Sequence, residues 1–152
     1  MQADDMDRRL LRLLQGQPDM AITALAQAAG LSPGPCARRI AALERAGILK
    51  GRSIRIDARA LGYGVEVFLR VTLDKTVPNA FDQFTAAAVK IPEVRIIQTL
   101  LGRVDIRMDV LARDLGHYQE IYKTRILALP HISDIEALML VSELKNSESL
   151  PL

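Results

Sequence analysis

The apolar positions of this chain change period near residue 48. Before it they recur as in helices; after Val65 they alternate or run together as in strands. Met6, Leu10, Leu13 and Leu14 form one stripe, predicting a helix from Asp4 or Asp5 to Gln15. Asp4, Asp5 and Asp7 at its start complement the helix dipole, and Gly16 and Pro18 end it. Ile22, Leu25, Ala26 and Ala29 recur at i, i+3, i+4 and i+7, with Thr23 as the expected N-cap and Gly30 as the left-handed stop. Ser32 is placed to cap a third helix that opens on Pro33, a position that needs no N–H; Pro35 is still in the first turn. On that helix Cys36, Ile40 and Leu43 share a buried stripe. Gly34, Arg38, Ala41 and Arg45 fall opposite, with Arg39 on the flank.

Two short helices, a glycine turn and an outward face that is small and cationic form the arrangement a helix-turn-helix sets into a major groove. Ile48, Ile54 and Ile56 then alternate with polar residues, predicting a short hairpin with Gly51 near its turn. Such a wing would offer Lys50, Arg52 and Arg55 to phosphates.

Beyond a hinge at Leu61–Gly64 the pattern predicts strands at Val65–Leu73, Val94–Leu101, Asp105–Leu111 and Ile135–Leu144. Helices are expected at Ala80–Val89 and Leu115–Leu129, each followed by proline. In Asp105–Leu111, Ile106, Met108 and Val110 should face one way and Arg107 and Asp109 the other. The order βαββαβ implies an antiparallel sheet with both helices on one face, the ferredoxin-like arrangement. The fold class is therefore α+β: a winged helix-turn-helix over residues 1–60 joined to a ferredoxin-like domain over 61–152. The runs VEVFLRV and ALMLV are more apolar than one covered face needs, so the sheets should also bury their free face in a homodimer. A two-fold dimer would present two reading helices to a palindromic site.

Charge sharpens the picture. The 152 residues carry a net +2, too little to decide anything. Residues 1–60 hold 10 Lys and Arg against 6 Asp and Glu, whereas 61–152 hold 10 against 12. Within 36–60 the count is 7 against 2. One nucleic-acid face and one domain with another task follow, with double-stranded DNA as the partner. No apolar run approaches the roughly 20 residues that span a bilayer, and the acidic first residues do not read as a signal peptide. With one cysteine, a disulfide framework is excluded and cytoplasmic residence is the expectation. Cys36 reads as a small buried hydrophobe.

Nothing in the chain assembles an active site. His117 and His131 have no ligand partners at metal spacing, Ser32 is not in a Gly-x-Ser-x-Gly elbow, and no phosphate loop is present. The protein is not expected to be an enzyme, nor to hold a metal or cofactor.

Several motifs, in order, closely resemble the Lrp/AsnC (feast/famine) family of transcription regulators. DDMDRRLLRLLQ is similar to the family's opening Asp-x-x-Asp-x-x-Ile-Leu helix. LSPGPCARRIAALERAGIL resembles its Leu-Ser-x-x-x-Cys-x-x-Arg-Ile-x-x-Leu-Glu-x-x-Gly-Ile signature, and IDARALGYG its passage into the effector domain. LGRVDIRMDV stands at the family's Gly-x-x-Asp ligand loop. The resemblance implies dimers assembling into octamers or similar rings, and an amino acid or related metabolite as effector at a subunit interface. It puts DNA contacts on Ser32, Arg38 and Arg39, and effector contacts on Thr99, Gly102 and Asp105 and on Leu138, Met139 and Leu140; Arg103 and Val104, in the same loop, are further candidates. In physical terms Asp105 suits an α-ammonium, and N–H groups near Gly102, or Arg103, suit a carboxylate. Where the family often has Gly-Asp-x-Asp-Tyr, this chain has Arg103 for the first acid and Ile106 for the aromatic. Two other readings stay open: an effector-independent nucleoid-associated protein, and a metabolite-binding module without operator specificity.

Overall fold

The computed structural model describes residues 2–147 and 149–152. The chain packs as two units, Met1–Arg55 with Lys145–Leu152, and Ile56–Leu144. The last eight residues, placed with the second domain by the sequence reading, thus pack with the first.

The first unit holds α1 (Asp5–Gly16), α2 (Ile22–Ala29) and α3 (Pro33–Arg45). Leu10, Leu25, Ala26, Ala29, Cys36, Ile40 and Leu43 form its buried core. These are positions that the helical stripes assign to the inside. Asp4 is the N-cap of α1 and makes a capping box: its carboxylate accepts from Asp7 N–H (2.8 Å) while Asp7 accepts from Asp4 N–H (3.1 Å). Gly30 ends α2 at φ +75°, a left-handed conformation that suits glycine.

Two caps differ from expectation. Thr23 lies inside α2, one residue past its start, and Ala21 holds the N-cap position. A residue already in helical conformation cannot be the cap. Ser32 does occupy the N-cap of α3, but its hydroxyl makes no capping bond. A cap hydroxyl accepts from the second or third helical N–H, and the third residue here, Pro35, has none.

The wing also departs from its pattern. Residues 50–57 form no strand, although Gly51 does turn at φ +111°. Ile54 and Ile56 are 89% and 70% exposed. An alternating pattern makes a strand only where it has a surface to bury against, and an isolated hairpin is marginal in water.

The second unit is a four-stranded antiparallel sheet of β1 (Val65–Leu73), β2 (Val94–Thr99), β3 (Ile106–Ala112) and β4 (Ile132–Met139), in the order β2-β3-β1-β4. With α4 (Ala80–Ala88) and α5 (Leu115–Ile121) this is the ferredoxin-like βαββαβ order. Val67, Leu69, Val71, Ile106, Met108 and Val110 of the central strands bury against Phe84 and Ala88 of α4 and Ile121 of α5. The predicted helix to Leu129 is interrupted: α5 passes at Tyr122 into a π turn, Tyr122–Ile126, that still buries Ile126. The last strand begins three residues earlier than predicted, where a register shift at Thr72/Leu73 displaces the alternation, and it stops at Met139.

The opposite face of the sheet carries Phe68 and Arg70 on β1, Arg107 and Asp109 on β3, and Glu136 and Leu138 on β4. Asp109 was expected to face outward with Arg107. It does lie on that face, but it is buried, 3% exposed. Arg107 stacks 4.7 Å over the Phe68 ring and stands 3.2 Å from Asp109 Oδ1.

Candidate nucleic-acid interface and effector loop

The outward side of α3 is built as its spacing requires. Cys36, Ile40 and Leu43 are buried, whereas Gly34, Arg38, Ala41 and Arg45 are exposed. Burial also raises the pKa of the Cys36 thiol, which keeps it protonated and inert. Arg45 donates from Nε to the Ala41 carbonyl at 3.2 Å, which lays its stem along the helix. Arg38 passes close to Gly34, where a Cβ would stand 3.8 Å from its guanidinium. Among the described residues Arg38 makes no ion pair, so its guanidinium is free to meet an external acceptor.

Arg39 is held differently. Its Nη1 lies 2.7 Å from Asp4 Oδ2 and 2.8 Å from Asp7 Oδ1, the two residues of the α1 capping box. Asp7 is 2% exposed, so Arg39 supplies the counter-charge for a buried carboxylate. The Asp7 backbone N–H, and then the Arg39 guanidinium, hold the Asp4 carboxyl below the usual carboxylate range. The same pair raises the Arg39 pKa. Two neighbouring arginines therefore have two geometries: Arg38 points outward, and Arg39 fastens α3 to α1. Charge alone makes Asp4 and Asp7 dipole complements and does not reveal this pairing. Their Asp-x-x-Asp spacing, a capping box, was the available signal.

Ser32 is exposed at the helix start, with a hydroxyl not used for capping. On the loop after α3, Lys50, Arg52 and Arg55 are exposed. Arg52 lies 3.7 Å from Asp19, both largely in solvent, a contact of little energetic weight.

In the second unit the loop between β2 and β3 holds the residues expected to meet an effector. Thr99, Gly102 and Arg103 are exposed; Val104 and Asp105 are half-buried. Asp105 already has structural work. Its Oδ2 accepts from Leu73 N–H at 2.9 Å, its Oδ1 lies 3.5 Å from Lys75 Nζ, and its own N–H donates to the Val71 carbonyl at 3.0 Å. The Arg103 carbonyl accepts from the Thr72 hydroxyl at 3.4 Å. The loop is thus pinned to the end of β1, leaving the Arg103 side chain exposed.

Leu138, Met139 and Leu140 do not join this loop within one chain. Leu138 pairs with Phe68, whereas Asp105 binds at Leu73. Five residues of strand separate the two places, roughly 16 Å. The chain alone does not bring the two halves of the expected effector site together.

Comparison with known proteins settles the class. Residues 66–150 match the Lrp/AsnC ligand binding domain, and residues 4–50 match a winged helix-turn-helix DNA-binding domain. The chain belongs to the Lrp/AsnC family. It is 30% identical over 147 residues to the leucine-responsive regulatory protein of Salmonella typhimurium, covering 97% of this chain and 90% of that one. It is 31% identical over 149 residues to the DNA-binding transcriptional activator DecR of Escherichia coli, covering 98% of both. An AsnC family transcriptional regulator from Agrobacterium tumefaciens superimposes with a TM-score of 0.87 at 29% identity, over 97% of this chain and 96% of that one. A transcriptional regulator from Neisseria meningitidis, solved as an L-Met complex, superimposes with a TM-score of 0.91 at 27% identity, over 99% and 97%. These Lrp/AsnC relatives are transcriptional regulators rather than enzymes, and this chain is a DNA-binding regulator of the same type. Among the described residues no three His, Cys, Asp or Glu side chains cluster as a metal site, and no helix is long and apolar enough to cross a membrane.

Proposed function

We propose that this Lrp/AsnC protein is a sequence-specific regulator that reads the major groove with the outer face of α3. The observation that carries the reading is the split between adjacent arginines. Among the described residues Arg38 makes no ion pair, and it stands on a face with Gly34 and Ala41, small residues that permit close approach, and the cationic Arg45, while Arg39 fixes the helix that presents it. Gly34, Ser32 and Arg45 would meet the backbone beside the bases, and Lys50, Arg52 and Arg55 phosphates farther along. The ion pairs of Arg39 with Asp4 and Asp7 support a positioning role for it rather than the DNA contact expected from the sequence.

The test is binding to DNA from the protein's own promoter against scrambled DNA of equal length, at moderate and high salt. A regulator prefers its operator by about 10³-fold or more. Equal, steeply salt-dependent affinity for both would favour the architectural role.

We further propose an amino acid as effector, bound where one subunit's 102–105 loop meets another subunit's Leu138–Leu140. The L-Met complex of the Neisseria regulator supports the ligand class. The separation of the two segments within this chain supports a site completed by a second subunit. Arg103, exposed beside Gly102, suits the ligand carboxylate. Asp105 keeps lone pairs for an ammonium besides its bond to Leu73. A thermal-shift screen of the amino acids tests this, since a ligand of the folded state raises the midpoint. Loss of the response in Arg103→Ala is the expected result. No response to any amino acid in the parent would identify an effector-independent member.

A further inference from the structure

Segment 145–152 belongs to the domain matched as ligand-binding up to residue 150, yet it packs with the helix-turn-helix unit. Hydrogen bonds from α1 hold it there. Gln15 acts as a two-pronged clamp: its Oε1 accepts from Leu150 N–H at 2.6 Å and its Nε2 donates to the Leu150 carbonyl at 3.2 Å. Arg12 donates from Nε to the Leu152 carbonyl at 2.9 Å. Both prongs of Gln15 go to one residue's main chain, as a neighbouring strand would bind it, so recognition is of backbone in a fixed register.

The segment walls one side of a groove of about 490 Å³ that stays open beside it. Leu11 and Leu14 of α1, Ile22 of α2 and Ile40 of α3 supply its walls, and Ile48 and Arg52 of the following loop its far rim. Without an occupant these side chains would form an exposed patch on the smaller of the two units. The segment narrows that patch: Leu150, still 64% exposed, and half-buried Leu152 form the facing wall of the groove.

We propose that segment 145–152 is a built-in peptide ligand of the helix-turn-helix unit. It docks in the groove between α1 and the loop carrying Arg52, and it stabilises the helices that present the DNA-reading face. Residues 140–144 connect it to β4, so the two units are joined by two covalent crossings rather than one. A change at the end of β4 then reaches the DNA-binding unit through chain and not only through the linker at residue 56. This inference needs no assumption about operator or effector.

Hydrogen exchange on the full chain tests it, read at the amides of residues 11–15. Compare the parent, a chain ending at Leu144, and Gln15→Ala. Protection in the shortened chain should fall roughly fivefold or more, the factor that about 1 kcal/mol of local stability carries. Gln15→Ala should show a similar fall. A synthetic peptide of residues 145–152, at millimolar concentration, should restore protection to the shortened chain and not to Gln15→Ala. Unchanged protection in the shortened chain would overturn the proposal. So would a fall that the peptide fails to restore while Gln15→Ala behaves as the parent does.

Discussion

Each unit of this protein sets an arginine against a buried aspartate, and the two pairs end differently. In the first unit Asp7 accepts from Asp4 N–H and from Arg39, and Asp4 accepts from Asp7 N–H and from Arg39. The network is closed, and α1 and α3 are fixed by it. In the second unit Asp109 has Arg107 within 3.2 Å, yet its buried Oδ1 accepts no hydrogen bond. That atom lies on the sheet face opposite the helices, beside Phe68 and Leu138. A buried oxygen left without a donor costs about 1–3 kcal/mol, and native proteins rarely tolerate it. Among the described residues the DNA-binding unit leaves no buried side-chain oxygen or nitrogen without a hydrogen bond, whereas the sheet face of the effector unit leaves this one. The difference teaches that the reading head is fixed within one chain, and it supports the expectation that the sheet face is covered by a second copy.

The largest effect should come from breaking the incomplete face. Phe68→Glu would set a second carboxylate beside Asp109, its cross-strand partner, and would bury it if a second copy covers the sheet, at a cost of about 3–5 kcal/mol. Self-association should weaken by at least about a hundredfold in sedimentation. A variant that associates as the parent does would place the dimer elsewhere. Next comes the closed network. Asp7→Ala removes a 2%-exposed acceptor and half of the capping box, and should cost the helix-turn-helix unit about 2 kcal/mol, read by denaturant unfolding. A loss confined to the sheet unit would contradict the comparison.

A smaller effect concerns salt. Arg52→Gln should reduce the slope of log affinity against log salt by about one if Arg52 meets a phosphate. The weakest signal is acid. The folded pKa of Asp4 is depressed, so its contribution is fully present above the ordinary carboxylate value and is lost as pH falls through the depressed one. Exchange protection at the start of α1 should therefore weaken only below about pH 4, and Asp4→Asn should remove that pH dependence.

Much of this was legible in the chain, for identifiable reasons. VEVFLRVTL specified β1 to the residue, because a central strand of β-branched residues has few other uses. The buried stripe of α3 was equally plain, since Cys36, Ile40 and Leu43 obey one period. The wing was not legible, because Ile54 and Ile56 alternate without a surface to alternate against. Nor was the start of β4, where a register shift lets Ile132 and Ile135, three apart in sequence, both pack on the core. Arg38 and Arg39 look alike in sequence. Only the position of α1, which brings Asp4 and Asp7 to one of them, tells them apart. Likewise, no local pattern could show that the 102–105 loop meets the end of β1 while Leu138 pairs five residues back along it, because that is a property of pairing and not of spacing.

The direct test of the account is a DNA-binding titration of Arg38→Ala and Arg39→Ala against operator and scrambled DNA, with exchange protection of α1 and α3 measured on the same samples. Arg38→Ala should lose about 1–3 kcal/mol of operator discrimination with protection unchanged. Arg39→Ala should lose protection in both helices and weaken binding to both DNAs together. Unchanged discrimination in a well-protected Arg38→Ala protein would contradict the claim that this face of α3 reads DNA.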